Sequence, residues 1–301
     1  MFRYGEDDMT DTNLLLLKLI QDGLSNDKIC EKLQISKKQL NWRIRSLKYD
    51  GYNLKRKFFH DGAQSYFIDY SFLDDDIYTI ELDNNLFKAM LIADTHFGHE
   101  KDNMDYIKYI YEYCSNNNIH IILHSGDLLQ GNIKPYRLKP EEQIEYILSN
   151  YPYDDNIINF VSPGNHDNTF AKDYGLNLKS IIENNRSDIV MLHPIEAAIN
   201  VRNNYIFMSH ERSFTNPYGL RIGGHSHFYK FVPNTTCPMI IVPTLSDVLY
   251  KEDTIPGAID VEIKLSGEKF KQLVVTHLVF DEHQKIKCLG KIDNRFQKKF
   301  L

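Results

Sequence analysis

Two histidines, an aspartate and a glutamate crowd into the stretch from Asp94 to Glu100, where an apolar run ends in LIADTHFGHE. An Asp-x-His pair alone is common in ordinary loops, so its meaning depends on partners. Further groups follow: Gly126-Asp127, then Gly164-Asn165-His166-Asp167, then His210, then Gly-Gly-His-Ser-His with His225 and His227. Asp94, His96, Asp127, Asn165, His210, His225 and His227 offer only nitrogen and oxygen donors. Without thiolate, that set favours manganese, iron or zinc over a purely oxygen-ligated calcium or magnesium. A carboxylate can bridge two such ions roughly 3.5–4 Å apart, and the pair can clamp a phosphate and activate a water. Taken singly, each group also has an ordinary reading: Gly-Asp as a turn, His210 as a satisfied core histidine, Gly-Asn-His-Asp as a capped loop. Their succession, nearly always just after an apolar run, is what joins them.

Those runs are the positioning elements. FKAMLIAD, IHIILHSGD, IINFVSPGNHD, NYIFMSHE, MIIVPTLSD and QLVVTHLVF are short and rich in Ile, Val, Leu and Phe, as buried strands are. Between them, Met104, Ile107, Tyr111 and Cys114 fall at helical spacing, and Pro140 suits the first turn of another helix. Strands alternating with helices predict an α/β domain, whose polar groups gather beyond the carboxyl ends of the strands. The 301 residues, 42% apolar and 12% aromatic, suit one large domain or two modest ones. No apolar run approaches the ~20 residues of a membrane span, and the acidic N-terminus lacks a signal-peptide core, so no membrane partner is expected. Cys30, Cys114, Cys237 and Cys288 are scattered and form no CxxC pair, which fits reduced thiols and a cytoplasmic location.

A composition shift in the acidic stretch Tyr70–Asn85 places a boundary near residue 75, giving expected domains 1–75 and 76–301. In the first, Asn13–Asp22 reads as a helix stopped by Gly23. Ser25 caps a second helix, and Ser36 caps a third with Leu40, Ile44 and Leu47 on its apolar face. After Gly51, two short strands flank Asp61-Gly62, a tight-turn pair. This order resembles a winged helix-turn-helix. From Lys28 to Lys57 ten Lys or Arg stand against Glu31 and Asp50, mostly on the third helix and the first wing strand. Those are the elements that would meet duplex DNA, with Lys37, Lys38, Gln39, Asn41, Arg43 and Arg45 as the expected contacts. Trp42 is expected to pack between helix and wing, or alternatively to contact a sugar or base.

The order of the metal-binding groups over residues 88–245 resembles that of the calcineurin-like metallophosphoesterases. The resemblance implies a four-layer α/β/β/α sandwich and two divalent ions, manganese first, with iron or zinc as alternatives. It implies Asp94, His96, Asp127 and His227 at one ion and Asp127, Asn165, His210 and His225 at the other, with Asp127 bridging. His166 would stand over the scissile phosphate as the catalytic histidine. In the family's phosphoprotein phosphatases, Gly-Asp is followed by two residues and then Asp-Arg-Gly. Here GDLLQG places Gln130 and Gly131 there. The carboxylate that orients the histidine and the arginine that grips a phosphomonoester are therefore both missing. IADTHFGHE and SPGNHD are instead similar to motifs of the family's DNA double-strand-break repair nucleases. The function expected from the sequence is a two-metal phosphodiesterase acting on DNA and targeted by the winged helix. The alternatives are a phosphodiesterase or phosphatase for nucleotides or other small phosphoesters, and a DNA-binding regulator with a sensing phosphoesterase domain.

Overall fold

Local sequence signals explain how the chain begins. Helix α1 (Glu6–Gln21) starts ahead of the expected Asn13, because its polar, acidic first turns carry no apolar period yet suit a helix N-terminus. Ser25 caps α2 (Asn26–Leu33), accepting from the Lys28 N–H. At the start of α3 (Lys37–Tyr49), Ser36 and Gln39 exchange bonds, the Gln39 N–H donating to Ser36 Oγ and the Ser36 N–H to Gln39 Oε1. Leu16, Ile20, Ile29, Leu40, Ile44 and Leu47 bury a small core with Leu54 and Tyr66 of the hairpin β1 (Leu54–Phe59) and β2 (Gln64–Ile68). A computed structural model describes residues 6–49, 52, 54–68, 77–214, 219–249, 254–280 and 286–296. The expected boundary near 75 and Gly51 lie outside them.

Two sheets make the body. The first holds β3 (Ile77–Glu81), β8 (Ala197–Val201), β9 (Asn204–Met208), β10 (Leu220–Gly223), β11 (Lys230–Val232) and β12 (Met239–Ile241). The second holds β4 (Leu86–Ile92), β5 (Ile121–His124), β6 (Ile158–Val161), β7 (Ile189–Met191), β13 (Gly257–Ser266), β14 (Lys269–Phe280) and β15 (Ile286–Arg295). The first sheet does not stop at β3. Strand β1 pairs with it in parallel, Phe58 beside Ile80, so the order is β11-β12-β10-β9-β8-β3-β1-β2. Phe58 is fully buried in the core between the sheets, edge-on to Phe160 at 4.8 Å.

Helices α4 (Met104–Asn116), α5 (Pro140–Asn150), α6 (Thr169–Tyr174) and α7 (Leu178–Asn185) pack on the second sheet through Ile107, Ile110, Ile147, Phe170 and Ile182. The expected sandwich comes out as two sheets with these helices on the second, while α1–α3, expected as a preceding domain and not as a layer of the sandwich, pack against β1 and β2 at one end of the first sheet. Strands β4, β5 and β6 are parallel, as are β9 and β10. The Ala93–Thr244 bridge joins the ends of the two sheets, with the Leu245 N–H on Ala93 O at 2.9 Å. The carboxyl ends of all five strands therefore open on one rim.

Candidate metal centre

Each polar group follows one of those strand ends: Asp94 after β4, Asp127 after β5, Asn165 after β6, His210 after β9, His225 and His227 after β10. Asp94 Oδ1 lies 3.4 Å from His227 Nε2 and 3.9 Å from His96 Nε2. Asp127 Oδ2 lies 3.1 Å from His210 Nε2 and 3.8 Å from His96 Nε2. His225 Nδ1 sits 3.1 Å from Asn165 Oδ1 and 3.3 Å from His210 Nε2. Two adjoining groups result, Asp94/His96/His227 and Asp127/His210/His225, with Asp127 also grouped with His96 and His166. Separations of this size suit a cation about 2.0–2.2 Å from each donor. His96 belongs to the first group and Asp127 to the other, and both belong to the grouping with His166, so the pair links the two ends of the cluster.

The second nitrogens of the imidazoles decide whether a cation fits. His96 Nδ1 faces Gln130 Oε1 at 3.0 Å, His227 Nδ1 faces the Val248 carbonyl at 2.6 Å, and His210 Nδ1 faces the Ser125 carbonyl at 2.7 Å. All three partners are acceptors, so each Nδ1 donates and each Nε2 points inward, free to offer its lone pair when the ring is neutral. His96 Nε2 and His227 Nε2 then meet at 3.1 Å, a contact that needs a shared proton or a cation between them. Burial lowers His227, but its bond to Asp94 and the charge of that carboxylate overcome it and raise the imidazole, so a proton can fill the contact; a divalent ion held by both nitrogens would take its place. The acceptors behind the histidines also fix ring orientation and raise ligand basicity.

The electrostatics agree. Burial holds His96 at about 3, despite the pull of Asp127 and Asp94, so it stays a neutral ligand. Burial acts the same way on His210, but its bond to Asp127 and the charges of Asp127 and Asp94 overcome it and push the imidazole up to about 10. Burial would raise Asp127, yet the bond and charge of His210 hold it below the usual carboxylate range. These carboxylates draw in positive charge from whatever is at hand.

The backbone is bent to aim the ligands. Asp94, His96, Asp127, His225 and His227 have φ of 52°, 47°, 53°, 69° and 62°, in the left-handed region where L residues are strained. Gly164 passes so close that a Cβ there would lie 2.0 Å from Asp127 Oδ1. The His166 N–H donates to that Oδ1 at 2.9 Å, leaving Oδ2 to face the histidines. Asp167 is buried behind the site and accepts from the N–H groups of Leu128, Leu129 and Gly164. Burial and the charge of Asp127 push it up to about 6, against those three donors.

All seven expected ligands thus meet, and His166 Nε2 lies 3.9 Å from Asp127 Oδ2. Gln130 does more than its side chain suggested. Its Oε1 backs His96, its Nε2 is anchored on the Ile133 carbonyl at 2.6 Å, and its own carbonyl accepts from His166 Nδ1 at 2.8 Å. Ser125, Val248 and Gln130 act here through main-chain carbonyls, which no residue pattern marks; only the position of Gln130 after Gly-Asp pointed to it. His99 is buried beside the centre and Glu100 is exposed.

The six expected nucleic-acid contacts lie on α3, and five bond within the chain. Lys37 pairs with Asp27 at 3.1 Å and Asp155 at 2.9 Å. Gln39 belongs to the Ser36 cap, Asn41 accepts from Tyr66 Oη, Arg43 donates to Asn13, and Arg45 donates to the Asn184 carbonyl. Lys38 is exposed. Trp42 does not pack between helix and hairpin. Leu40, Ile44 and Leu47 take the inward face, which turns Trp42 outward and leaves it 52% exposed.

Among the described residues no helix is long and apolar enough to cross a membrane. No curated protein shows significant similarity to the chain. Similar solved structures include a predicted phosphoesterase from Streptococcus pneumoniae TIGR4 (12% identity, 70% of this chain and 98% of that one, TM-score 0.42). Others are a phosphoesterase from E. coli, Yfce (13%, 68% and 98%, 0.42), and a novel archaeal phosphodiesterase (17%, 63% and 99%, 0.41). The model of the calcineurin-like phosphoesterases matches residues 87–277, which contain every residue of the centre. With that match and the converging His and Asp side chains, the chain belongs to the calcineurin-like phosphoesterase family and is a metal-dependent phosphoester hydrolase.

Proposed function

We propose that the protein is a dinuclear phosphodiesterase acting on nucleic acid, DNA first, and that its N-terminal helices and hairpin form a winged helix-turn-helix that holds the substrate. Asp94, His96, Asp127 and His227 would hold one ion, and Asp127, Asn165, His210 and His225 the other. Manganese is the first expectation for both. Bound there, the ions supply charge stabilisation for the phosphate and an activated water. The chain's own residues do the rest. Asp127 fixes the spacing of the two groups. His166 keeps its Nδ1 proton on the Gln130 carbonyl, so Nε2 is the atom that exchanges a proton with the leaving oxygen.

The observation that carries the diester reading is the use made of residues 130 and 131. Gln130 is committed to His96 and Ile133, and a Cβ at Gly131 would lie 2.2 Å from the His166 carbonyl. A backbone carbonyl thus stands behind His166, and no arginine occupies the place that would grip a phosphomonoester dianion. A diester carries one negative charge and needs no such grip. One feature supports the second reading, a small phosphoester. A cavity of about 290 Å³ adjoins Asn165 and His210, walled by Pro163, Pro194, Ile195 and Glu211.

The test is cleavage of labelled single- and double-stranded DNA with added manganese, beside the Asp127→Asn variant. Cleavage by the wild type that Asp127→Asn abolishes is the expected result. A metal-loaded wild type that hydrolyses small phosphoesters and leaves both DNAs intact would overturn the nuclease reading in favour of the second.

A further inference from the structure

A groove of about 300 Å³ lies between α3 and the loops that lead into β6 and β7. Lys38, Trp42 and Arg45 form one wall, and Tyr153, Asn184 and Asn185 the other. Residues 151–157 and 186–188 precede β6 and β7, so the groove sits at the amino ends of strands whose carboxyl ends carry the metal centre. It is a separate site on the opposite rim.

Its chemistry is that of a nucleic-acid strand. Lys37, Lys38, Arg45 and Arg186 all line it, and none of its described lining residues is acidic. Lys37 and Arg186 are matched by Asp155 and Asp188, but Lys38 and Arg45 have no acidic partner among the described contacts. Two aromatic rings are offered within the same groove, Trp42 at 52% and Tyr153 at 53% exposed. The Tyr153 ring is already set. Arg186 lies over it at 5.6 Å, and its hydroxyl donates to Asp155 Oδ1 at 2.6 Å. Arg186 is itself held by Asp188 and by the carbonyls of Tyr151 and Pro152. Exposed aromatic platforms beside uncompensated cations bind unstacked bases and their phosphates, with little regard to sequence.

We infer that this groove is an exosite for a single nucleic-acid strand, with bases against Trp42 and Tyr153 and phosphates on Lys38 and Arg45. A duplex fits it poorly. The Lys37–Asp155 pair and the bond from Arg45 to Asn184 tie the flank of α3 to the opposite wall, whereas a recognition helix must enter a major groove about 12 Å wide. Platforms of this kind also need bases that are not already paired and stacked. The inference uses the nucleic-acid reading of the metal centre only for its effect on cleavage; binding stands without it.

Trp42 is the only tryptophan, so its fluorescence reports on the groove directly. The full-length protein in chelator, which prevents cleavage, is titrated with a short oligothymidylate and with a blunt hairpin duplex of equal length. The expected result is saturable quenching by the single strand, weakening steeply with salt. Binding should fall roughly tenfold or more in Tyr153→Ala and in the Lys38→Ala/Arg45→Ala pair. The duplex should bind at least about tenfold more weakly. With metal restored, the same variants should raise KM for long strands, leave kcat unchanged, and turn over a small chromogenic diester like the wild type. No quenching, equal affinity for duplex, or undiminished binding by the folded variants would each overturn the exosite. Strand binding without cleavage of any nucleic acid would leave the exosite standing and overturn the nuclease reading. Cleavage without groove binding would do the reverse.

Discussion

Asp127 works only because its neighbours leave it one direction. The His166 N–H holds Oδ1, and Gly164 presses against the carboxylate from behind. A methyl group at residue 164 has to displace that carboxylate. Gly164→Ala is expected to lose about 10- to 100-fold in metal affinity or turnover, measured by titration with manganese and by diester hydrolysis. Gln130→Ala removes the acceptor behind His96 and should cost a similar factor, which Gln130→Glu restores in part because a carboxylate oxygen also accepts from Nδ1. An unchanged metal affinity in Gln130→Ala would mean that His96 is oriented by packing alone.

His124 gives a pH dependence. It is fully buried, accepts the Gly126 N–H at Nδ1, and lies 3.0 Å from Thr95 Oγ1 through Nε2. Thr95 donates to the Leu128 carbonyl, so His124 Nε2 is the donor in that contact and the ring is neutral. Burial lowers it from 6.5 to about 4. The unfolded chain therefore takes up a proton near pH 6.5 that the folded chain refuses until about 4. Stability from this group is complete above pH 6.5 and is lost as pH falls towards 4, by about 3 kcal/mol in all. Urea midpoints of metal-free wild type and His124→Gln, measured across that range, should show the variant losing less on acidification.

At the scale of elements, strand β1 carries the greatest weight outside the metal rim. It pairs with β2 on one side and β3 on the other, and its Phe58 fills the core between the sheets. Phe58→Ala should cost about 3–5 kcal/mol, read from chemical denaturation, as a large aromatic in a closed core does. A surface hairpin that merely touched the body would show far less. The hairpin turn is anchored too. Gly62 has φ of 83°, and a Cβ there would lie 1.9 Å from the Asn156 carbonyl, so Gly62→Ala should separate the turn from that loop and destabilise the protein.

For the whole molecule, these contacts predict that the part before Ile77 will not behave as a detachable module. A chain beginning at Ile77 leaves the space of Phe58 empty beside Phe160 and exposes β3 as a sheet edge. Such a chain is expected to melt well below the full-length protein and to aggregate on a sizing column. Equal melting temperatures would show that the two parts are independent. Chelation should also lower the melting temperature of the intact protein, because an ion that binds the folded centre and not the unfolded chain adds its binding energy to the folded state.

The sequence alone determined the donor set and its order. Apolar runs ending in Asp, Asn and His are local signals, and a side chain's affinity for a metal travels with its identity. It determined α1–α3 and the hairpin for the same reason, since caps and apolar periods act within a few residues. Other features depended on contacts between distant segments. Only the tertiary structure decided that Ser125, Val248 and Gln130 back the imidazoles, because every residue has a carbonyl and only the fold selects which one is near. Only it decided that the hairpin extends the first sheet and that α3 closes on Asp155 and Asn184. Strand pairing across a long connection and ion pairs between remote residues leave no periodic trace in the chain, since their energy is realised when both partners arrive.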